Sequence, residues 1–132
     1  MHILIVDDDE TDRELFAEAA ATAMNEVKVT EAVNGLEAMR LLNGEALRPD
    51  LIVLDLNMPV MDGRETLRAL KANPDLKTIP VCVLTTSSAS MDIRTAYSEG
   101  ANVFQVKPLK FARFQEMISN LHTVFKNHGQ WR

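Results

Sequence analysis

Chemically active side chains lie at the ends of four short apolar segments. In chain order they are Asp7, Asp8, Asp55, Thr85 and Lys107. Clustered carboxylates repel one another unless a cation lies among them, and their hard oxygens suit Mg²⁺. A carboxylate can also attack phosphorus, while a metal ion, a lysine and a hydroxyl neutralise the phosphoryl oxygens. This set of residues is therefore suited to forming an aspartyl phosphate.

Short apolar segments alternate with segments of helical periodicity, which predicts an α/β fold. The predicted strands cover residues 2–6, 27–32, 51–54, 80–85 and 103–106. The predicted helices cover residues 11–24, 34–44, 63–72, 88–99 and 109–125. Nearly unbroken apolar strands such as LIVL are typical of a parallel sheet that is buried on both faces. We expect one doubly wound domain over residues 1–132, with a core from about 2 to 126, a short C-terminal tail and no separate output domain.

The same architecture explains how distant residues would meet. In an open parallel sheet the C-terminal ends of the strands share one edge, where ligands bind. Each residue also has an ordinary structural interpretation: Asp9 suits a helix N-cap as well as a functional role, and Lys107 alone would be a solvated lysine. Asp8 and Asp55 are harder to explain in this way, because unpaired carboxylates beside buried strands are costly. The functional interpretation depends on the combination.

Composition excludes several classes of protein. The formal net charge of −5 argues against a nucleic-acid-binding surface, which concentrates lysine and arginine. The single cysteine, Cys82, cannot form an intramolecular disulfide, which favours the reducing cytoplasm. No apolar segment is long enough to cross a bilayer, so we expect no membrane association.

Four motifs in this order and spacing resemble the receiver domains of two-component response regulators. They are ILIVDDD, LIVLDLNMPVMDG, VLTTSS and VFQVKP, and the similarity extends from about Ile3 to Phe125. The resemblance implies a flavodoxin-like (βα)5 receiver fold with strand order 2-1-3-4-5. It also implies a phosphoacceptor that assists its own phosphorylation and dephosphorylation but is not otherwise an enzyme.

The resemblance assigns a metal and a phosphoacceptor to the acidic cluster. Asp55 would accept the phosphoryl group, with Mg²⁺ as cofactor and Mn²⁺ as an alternative. Asp8 would bind the metal directly and Asp7 through a water molecule. Asp55 and the backbone carbonyl of Asn57 would supply further oxygen ligands. Asn57 also occupies one of two positions expected to tune the lifetime of the phosphoryl group, and Ser87 occupies the other.

The resemblance also assigns a conformational switch. Lys107 would pair with Asp55 or with the phosphoryl oxygens, and a cis bond to Pro108 would aim it into the site. Thr85 would hydrogen-bond the phosphoryl group, and Phe104 would turn inward. The output would be an altered surface on the fourth helix, fifth strand and fifth helix. The alternative for Phe104 is an ordinary core aromatic.

A narrower resemblance concerns the second half of the chain. VLTTSS, GAN and the late Trp131 resemble single-domain regulators that are paired with bacterial phytochrome-type histidine kinases. This implies a sensor histidine kinase of that type as partner, and a homodimer through the fourth-helix, fifth-strand, fifth-helix face. The candidate dimer contacts are Phe104, Phe111, Phe114 and Tyr97. The alternative is that these aromatics are core or isolated surface residues.

Two other functions use the same residues. A degenerate receiver would act only as a binding module, although the acidic, threonine and lysine positions are all intact here. A hydrolase of the aspartyl-phosphate type usually carries a second aspartate two residues after the nucleophile as acid and base. That position is Asn57 in this sequence, and the chain has no room for a cap domain.

Overall fold

The apolar segments form five parallel strands of one sheet. The structure, a computed structural model, describes residues 1–86 and 90–126. The strands are β1 His2–Val6, β2 Lys28–Ala32, β3 Leu51–Leu54, β4 Val81–Thr85 and β5 Val103–Val106. Their order across the sheet is β2-β1-β3-β4-β5, which confirms the predicted topology. The registers place Ile3 beside Val29 and Leu51, so the C-terminal ends of the central strands lie at the same edge.

Five helices connect or follow the strands in the described residues. They are α1 Glu10–Ala23, α2 Gly35–Gly44, α3 Gly63–Ala72, α4 Ser90–Ser98 and α5 Phe111–Lys126. The predicted α2, α3 and α5 are confirmed to within two residues, and the predicted N-terminal end of α4 at 88–89 lies outside the described residues. β4 begins one residue later than predicted because Pro80 has no N–H to donate to the sheet. None of the helices in the described ranges has the length and apolar character to cross a membrane.

The sheet separates two hydrophobic cores. Side chains alternate between the faces of a strand, so neighbouring residues of β1 and β3 enter opposite cores. The core under α2 and α3 includes Leu4, Val6, Ile52, Leu54, Leu42, Leu67 and Leu70. The core under α1 and α5 includes Ile3, Ile5, Leu51, Val53, Phe16, Phe114 and Ile118. Because both faces are covered, the central strands β1, β3 and β4 carry apolar residues at successive positions, and polar residues collect at their ends.

A close contact fixes the loop between β3 and α3. A Cβ atom at Gly63 would lie 2.2 Å from the carbonyl oxygen of Asp55 and 2.5 Å from the Cα of Leu56. Only glycine allows this approach, and the Gly63 N–H donates to the carbonyl of Leu56 at 2.9 Å. A capping box between Asp62 and Glu65 then starts α3. The contact with Gly63 and the start of α3 together fix the backbone of Asp55 and Leu56.

Candidate functional site

Three carboxylates converge at the C-terminal ends of β1 and β3. One oxygen each from Asp7, Asp8 and Asp55 lies within 4.8 Å of the other two. Asp7 is 2% exposed and Asp55 is 6% exposed, whereas Asp8 faces solvent. Such a set of hard oxygen donors, open on one side, fits a divalent cation of the Mg²⁺ or Mn²⁺ type. The structure therefore brings together the three acidic residues predicted to hold the metal.

The ammonium group of Lys107 lies against this acidic cluster. Its Nζ is 2.7 Å from Asp7 Oδ2, 2.8 Å from Asp12 Oδ2 and 3.4 Å from Asp55 Oδ2. The Lys107 N–H donates to the carbonyl of Thr85 at 2.8 Å, which fixes the backbone beside β4. Burial alone would lower the pKa of Lys107. Hydrogen bonds to Asp12 and Asp7 and the charge of Asp55 outweigh it, so the pKa is raised and the lysine is charged.

Asp7 is the most buried member of the cluster. Burial raises the pKa of its carboxyl group above the ordinary value, although hydrogen bonds from Lys107 and from the Asp9 N–H oppose this shift. The Asp9 N–H donates to Asp7 Oδ1 at 2.9 Å. A buried guanidinium supports the same residue from behind: Arg13 donates to the Asp7 carbonyl at 2.7 Å and to Glu31 at 3.0 Å. The backbone and side chain of Asp7 are therefore both restrained.

Thr85 and Asn57 complete the polar edge. The Asn57 Nδ2 donates to Thr85 Oγ1 at 3.4 Å, and the Asn57 N–H donates to Asp55 Oδ1 at 3.4 Å. Thr85 is fully buried at the end of β4. Phe104 is half-buried against the α2 and α3 core, and its N–H donates to the Tyr97 hydroxyl of α4 at 3.1 Å. α4 and β5 are thus hydrogen-bonded at the predicted switch position.

One prediction about the site is wrong, and another concerns a residue outside the described part of the chain. No cis peptide bond occurs in residues 1–86 or 90–126, so the predicted cis bond between Lys107 and Pro108 is wrong. The trans form is ordinarily favoured by roughly 0.5–1 kcal/mol, and here it already lets the ammonium reach the carboxylates. Ser87, predicted to tune the phosphoryl lifetime, lies outside the described residues.

The four aromatic residues predicted as dimer contacts lie in different environments. Phe114 is buried in the α1 and α5 core, and Phe111 packs against the same cluster. Phe114 is therefore a core residue and cannot serve as a surface contact, because the face of α5 that carries it covers the sheet. Tyr97 is exposed and Phe104 is half-buried, whereas Trp131 lies outside the described residues.

Sequence reasoning missed Asp12 and Arg13. Both lie in the first turns of α1, and Asp9 caps this helix by accepting a hydrogen bond from the Asp12 N–H at 3.0 Å. The Asp9 cap was one of the two interpretations left open by the sequence. A signal for Asp12 was present, since it lies three residues after the possible cap Asp9, in the first helical turn, and so stays close to the end of β1. No comparable signal identified Arg13, whose partners come from β1 and β2.

Comparisons with known proteins identify the family. The family model for the response regulator receiver domain matches residues 3–119. The chain belongs to the response regulator receiver family. It is therefore a receiver domain of two-component signalling, a class of phosphoacceptor that is phosphorylated on aspartate and interacts with histidine kinases.

Two relatives align with nearly the whole of this chain. The response regulator Rcp1 of Synechocystis sp. is 38% identical over 128 residues, covering 93% of this chain and 87% of that protein. The transcriptional regulatory protein PrrA of Mycobacterium leprae is 35% identical over 96% of this chain, but this chain spans only 51% of its length.

Solved structures show the same fold. The Mn²⁺-bound form of Rcp1 has a TM-score of 0.82 at 36% identity, covering 92% of this chain and 91% of that one. The phosphorylated cyanobacterial phytochrome response regulator RcpA has a TM-score of 0.86 at 36% identity, covering 94% and 92%. The bacteriophytochrome response regulator AtBRR has a TM-score of 0.74 at 34% identity and covers 91% of each chain. The Mn²⁺ in a similar structure agrees with divalent-metal binding by the acidic cluster.

Proposed function

We propose that Asp55 accepts one phosphoryl group from a sensor histidine kinase in an Mg²⁺-dependent reaction, with residues 1–132 acting as one regulatory domain. The observation that carries this proposal is the position of its carboxylate. Asp55 lies at the end of a buried strand with two further carboxylates within 4.8 Å and an ammonium at 3.4 Å. The role is that of a phosphoacceptor regulator and not of an enzyme that turns over a separate substrate.

The chemistry follows from the charges around Asp55. One of its carboxylate oxygens attacks the phosphorus of a phosphohistidine, the P–N bond breaks, and the imidazole leaves with the electron pair. With an acyl phosphate as donor, a P–O bond breaks and a carboxylate leaves. Asp8, Asp55 and the Asn57 carbonyl would hold Mg²⁺ directly and Asp7 through water, and the bound ion would neutralise charge on the phosphoryl oxygens. The Lys107 ammonium, 3.4 Å from Asp55 Oδ2, supplies a second positive charge.

The output is proposed to pass through Thr85 and Phe104. Thr85 Oγ1 now has the amide of Asn57 at 3.4 Å, a long hydrogen bond that a phosphoryl oxygen would replace. Movement of Thr85 would alter the space beside Phe104, whose N–H is bonded to Tyr97 on α4. A local charge change would therefore reach the α4, β5 and α5 surface.

This surface carries a groove that suits a protein partner. A cavity of about 470 Å³ lies between β5 and α5. Its lining residues are Val103, Gln105, Val106, Pro108, Arg113, Glu116, Met117, Asn120 and Leu121. Val106 and the adjacent Leu109 are both exposed. We propose that a second copy of the chain uses this face to form a homodimer, and sedimentation with and without a phosphoryl mimic would test whether dimerisation depends on phosphorylation.

The phosphoacceptor is tested by labelling. We expect the protein with Mg²⁺ and acetyl phosphate to gain one phosphoryl group by intact mass, and Asp55→Asn to gain none. Asp75→Asn is the matched control, because Asp75 is an exposed aspartate outside the site. Label that persists in Asp55→Asn would show that another residue accepts the phosphoryl group.

The metal is tested by thermodynamic linkage. A ligand present at ten times its Kd raises the free energy of unfolding by about 1.4 kcal/mol. We expect Mg²⁺ to stabilise the protein in this way and Asp8→Asn to abolish the effect. Mn²⁺, titrated in parallel, shows whether it substitutes. A response to Mg²⁺ that is equal in both proteins would place the metal elsewhere.

The proposed kinase partner is of the bacterial phytochrome type. Similarity to RcpA and AtBRR supports this choice, since both are described as phytochrome or bacteriophytochrome response regulators. Location in the cytosol, where the buried Cys82 thiol stays reduced, belongs to the same proposal. Phosphotransfer from each histidine kinase of the host would test the pairing. Fastest transfer from a kinase without a phytochrome-type sensor would contradict it.

A further inference from the structure

Lys107 has a carboxylate partner outside the three residues that would hold the metal. Asp12 Oδ2 is 2.8 Å from Lys107 Nζ, whereas Asp55 Oδ2 is 3.4 Å away. The two paired residues are 95 positions apart in the sequence. We infer that Asp12 is a positioning residue that holds Lys107 on the α1 side of the site and competes for its ammonium with a phosphoryl group on Asp55. This inference rests on the proposed role of Asp55 as the phosphoacceptor.

The local structure of α1 fixes Asp12 in this place. The residue lies in the first helical turn, and its N–H donates to the capping carboxylate of Asp9 at 3.0 Å. A carboxylate in the first turn is favoured by the positive end of the helix dipole. Its side chain is 31% exposed and that of Lys107 is 10% exposed, so the ion pair is partly removed from solvent. The contact is therefore stronger than a fully exposed pair, yet it can be broken.

Competition follows from the number of acceptors around one ammonium. Lys107 Nζ forms ion pairs with Asp7, Asp12 and Asp55, and its distance to the Asp55 oxygen is the longest of the three. A phosphoryl group on Asp55 adds strong anionic acceptors that must draw the ammonium toward them. The ammonium then gives up part of its interaction with Asp12. The contribution of Lys107 to binding the phosphoryl group is therefore the free energy of its contact with that group minus the free energy of the contact with Asp12 that is lost.

The test compares affinities for beryllofluoride, a phosphoryl mimic, in the presence of Mg²⁺. Asp12→Asn keeps the shape of the side chain and removes its charge. We expect it to bind beryllofluoride roughly two- to fivefold more tightly than the wild type, the range that corresponds to a partly exposed ion pair. We expect labelling by acetyl phosphate to be faster by a similar factor. Glu10→Gln is the control, because it removes an exposed charge from the same helical turn and should change neither quantity.

Further measurements separate a positioning role of Asp12 from a general effect of its charge or of misfolding. In a Lys107→Met background, Asp12→Asn should no longer tighten beryllofluoride binding, whereas simple repulsion between Asp12 and the anion would persist. The ¹⁵N resonance of the Lys107 ammonium should shift in Asp12→Asn. Asp12→Glu, which keeps the charge, should retain an affinity near the wild-type value. Asp12→Ala provides the same comparison should Asp12→Asn fail to fold.

The outcomes distinguish this inference from the proposed function. If the wild type binds beryllofluoride and is labelled on Asp55 while Asp12→Asn behaves identically, the inference alone is overturned. A gain that survives in the Lys107→Met background also overturns it. If the wild type neither binds beryllofluoride nor becomes labelled, both the proposed function and the inference are overturned.

Discussion

Replacement of Lys107 by methionine tests the electrostatics of the site directly. The lysine is the cation that the structure places among Asp7, Asp12 and Asp55. Methionine keeps much of the side-chain volume and removes the charge. Because Asp7 is 2% exposed, its carboxylate would then lie in a poorly solvated place without its partner. We therefore expect Lys107→Met to lower the free energy of unfolding.

The magnitude can be bounded from the geometry. At an effective dielectric constant of about 20, the attraction between Lys107 and a carboxylate oxygen 2.7 Å away is about 6 kcal/mol, before the cost of desolvation. Removing one partner of a buried pair typically costs about 3–5 kcal/mol. The Asp7 carboxylate can also lose its charge by binding a proton. With an ordinary pKa of 3.8 for Asp7, this costs about 4 kcal/mol at pH 7 and about 1.6 kcal/mol at pH 5. We expect Asp7 to account for a loss of about 3–4 kcal/mol at pH 7 and at most about 1.6 kcal/mol at pH 5.

The direction of this pH dependence follows from the sign of the shift. The folded-state pKa of Asp7 is raised by burial, and loss of Lys107 would raise it further. A carboxyl group with a raised folded pKa stabilises the fold at low pH, and that stability is lost as the pH rises through the raised value. The assay is urea denaturation followed by far-UV circular dichroism at pH 5 and pH 7 without added divalent metal. Lys110→Met, at an exposed position three residues later, is the matched control.

Two results would refute this reasoning. A loss below about 0.5 kcal/mol at pH 7, the scale of an ordinary surface substitution, would show that the ammonium does not neutralise the cluster. A loss of equal size at both pH values would show that the cost comes from packing, because packing does not depend on the protonation of Asp7.

Three other predictions concern the backbone and the core. Gly63→Ala should lower the free energy of unfolding by about 2–3 kcal/mol, because the new Cβ would lie 2.2 Å from the Asp55 carbonyl oxygen. Gly44→Ala is the control and should be neutral or stabilising in urea denaturation, because nothing lies within 4 Å of its Cβ position. Equal effects of the two substitutions would contradict the close contact at Gly63. Val60→Gly should stabilise the protein by about 0.5–1 kcal/mol. Val60 has φ 71°, so glycine relieves backbone strain, and its side chain is 73% exposed, so little packing is lost. A clear loss of stability would contradict this prediction. Burial raises the pKa of Cys82 to about 12 from an ordinary value of 9.0. The thiol of the folded protein should therefore resist an aromatic disulfide reagent at pH 8, and the free energy of unfolding should fall as the pH rises from 9 toward 12. Rapid labelling of the folded protein would contradict the burial of Cys82.

The sequence determined the elements of this fold because their signals are local. The strands at residues 2–6, 51–54 and 103–106 have the predicted bounds, since apolar runs between polar residues mark them directly. Asn34 and Gly63 mark helix starts through capping and close approach, which depend on a few adjacent residues. The order of the strands came from the family resemblance, because periodicity alone does not say which strands are neighbours.

The sequence also identified the site residues by type, but not all of their contacts. Asp7, Asp8, Asp55 and Lys107 lie together because the ends of parallel strands share one edge of the sheet. The trans bond before Pro108 was not predicted, and the resemblance had favoured the opposite. An X–Pro bond is so evenly balanced between its two forms that tertiary packing decides between them.

The partners of individual side chains were decided by the tertiary structure. Phe114 has the helical spacing of a core residue, but only the packing of α5 on the sheet shows that it is unavailable to a partner. Asp12 meets Lys107 because α1 and the end of β5 approach the same edge from segments 95 residues apart. Periodicity gives the face on which a residue lies. Which of several carboxylates is nearest one ammonium depends on differences of less than 1 Å, and these arise only when the helices pack.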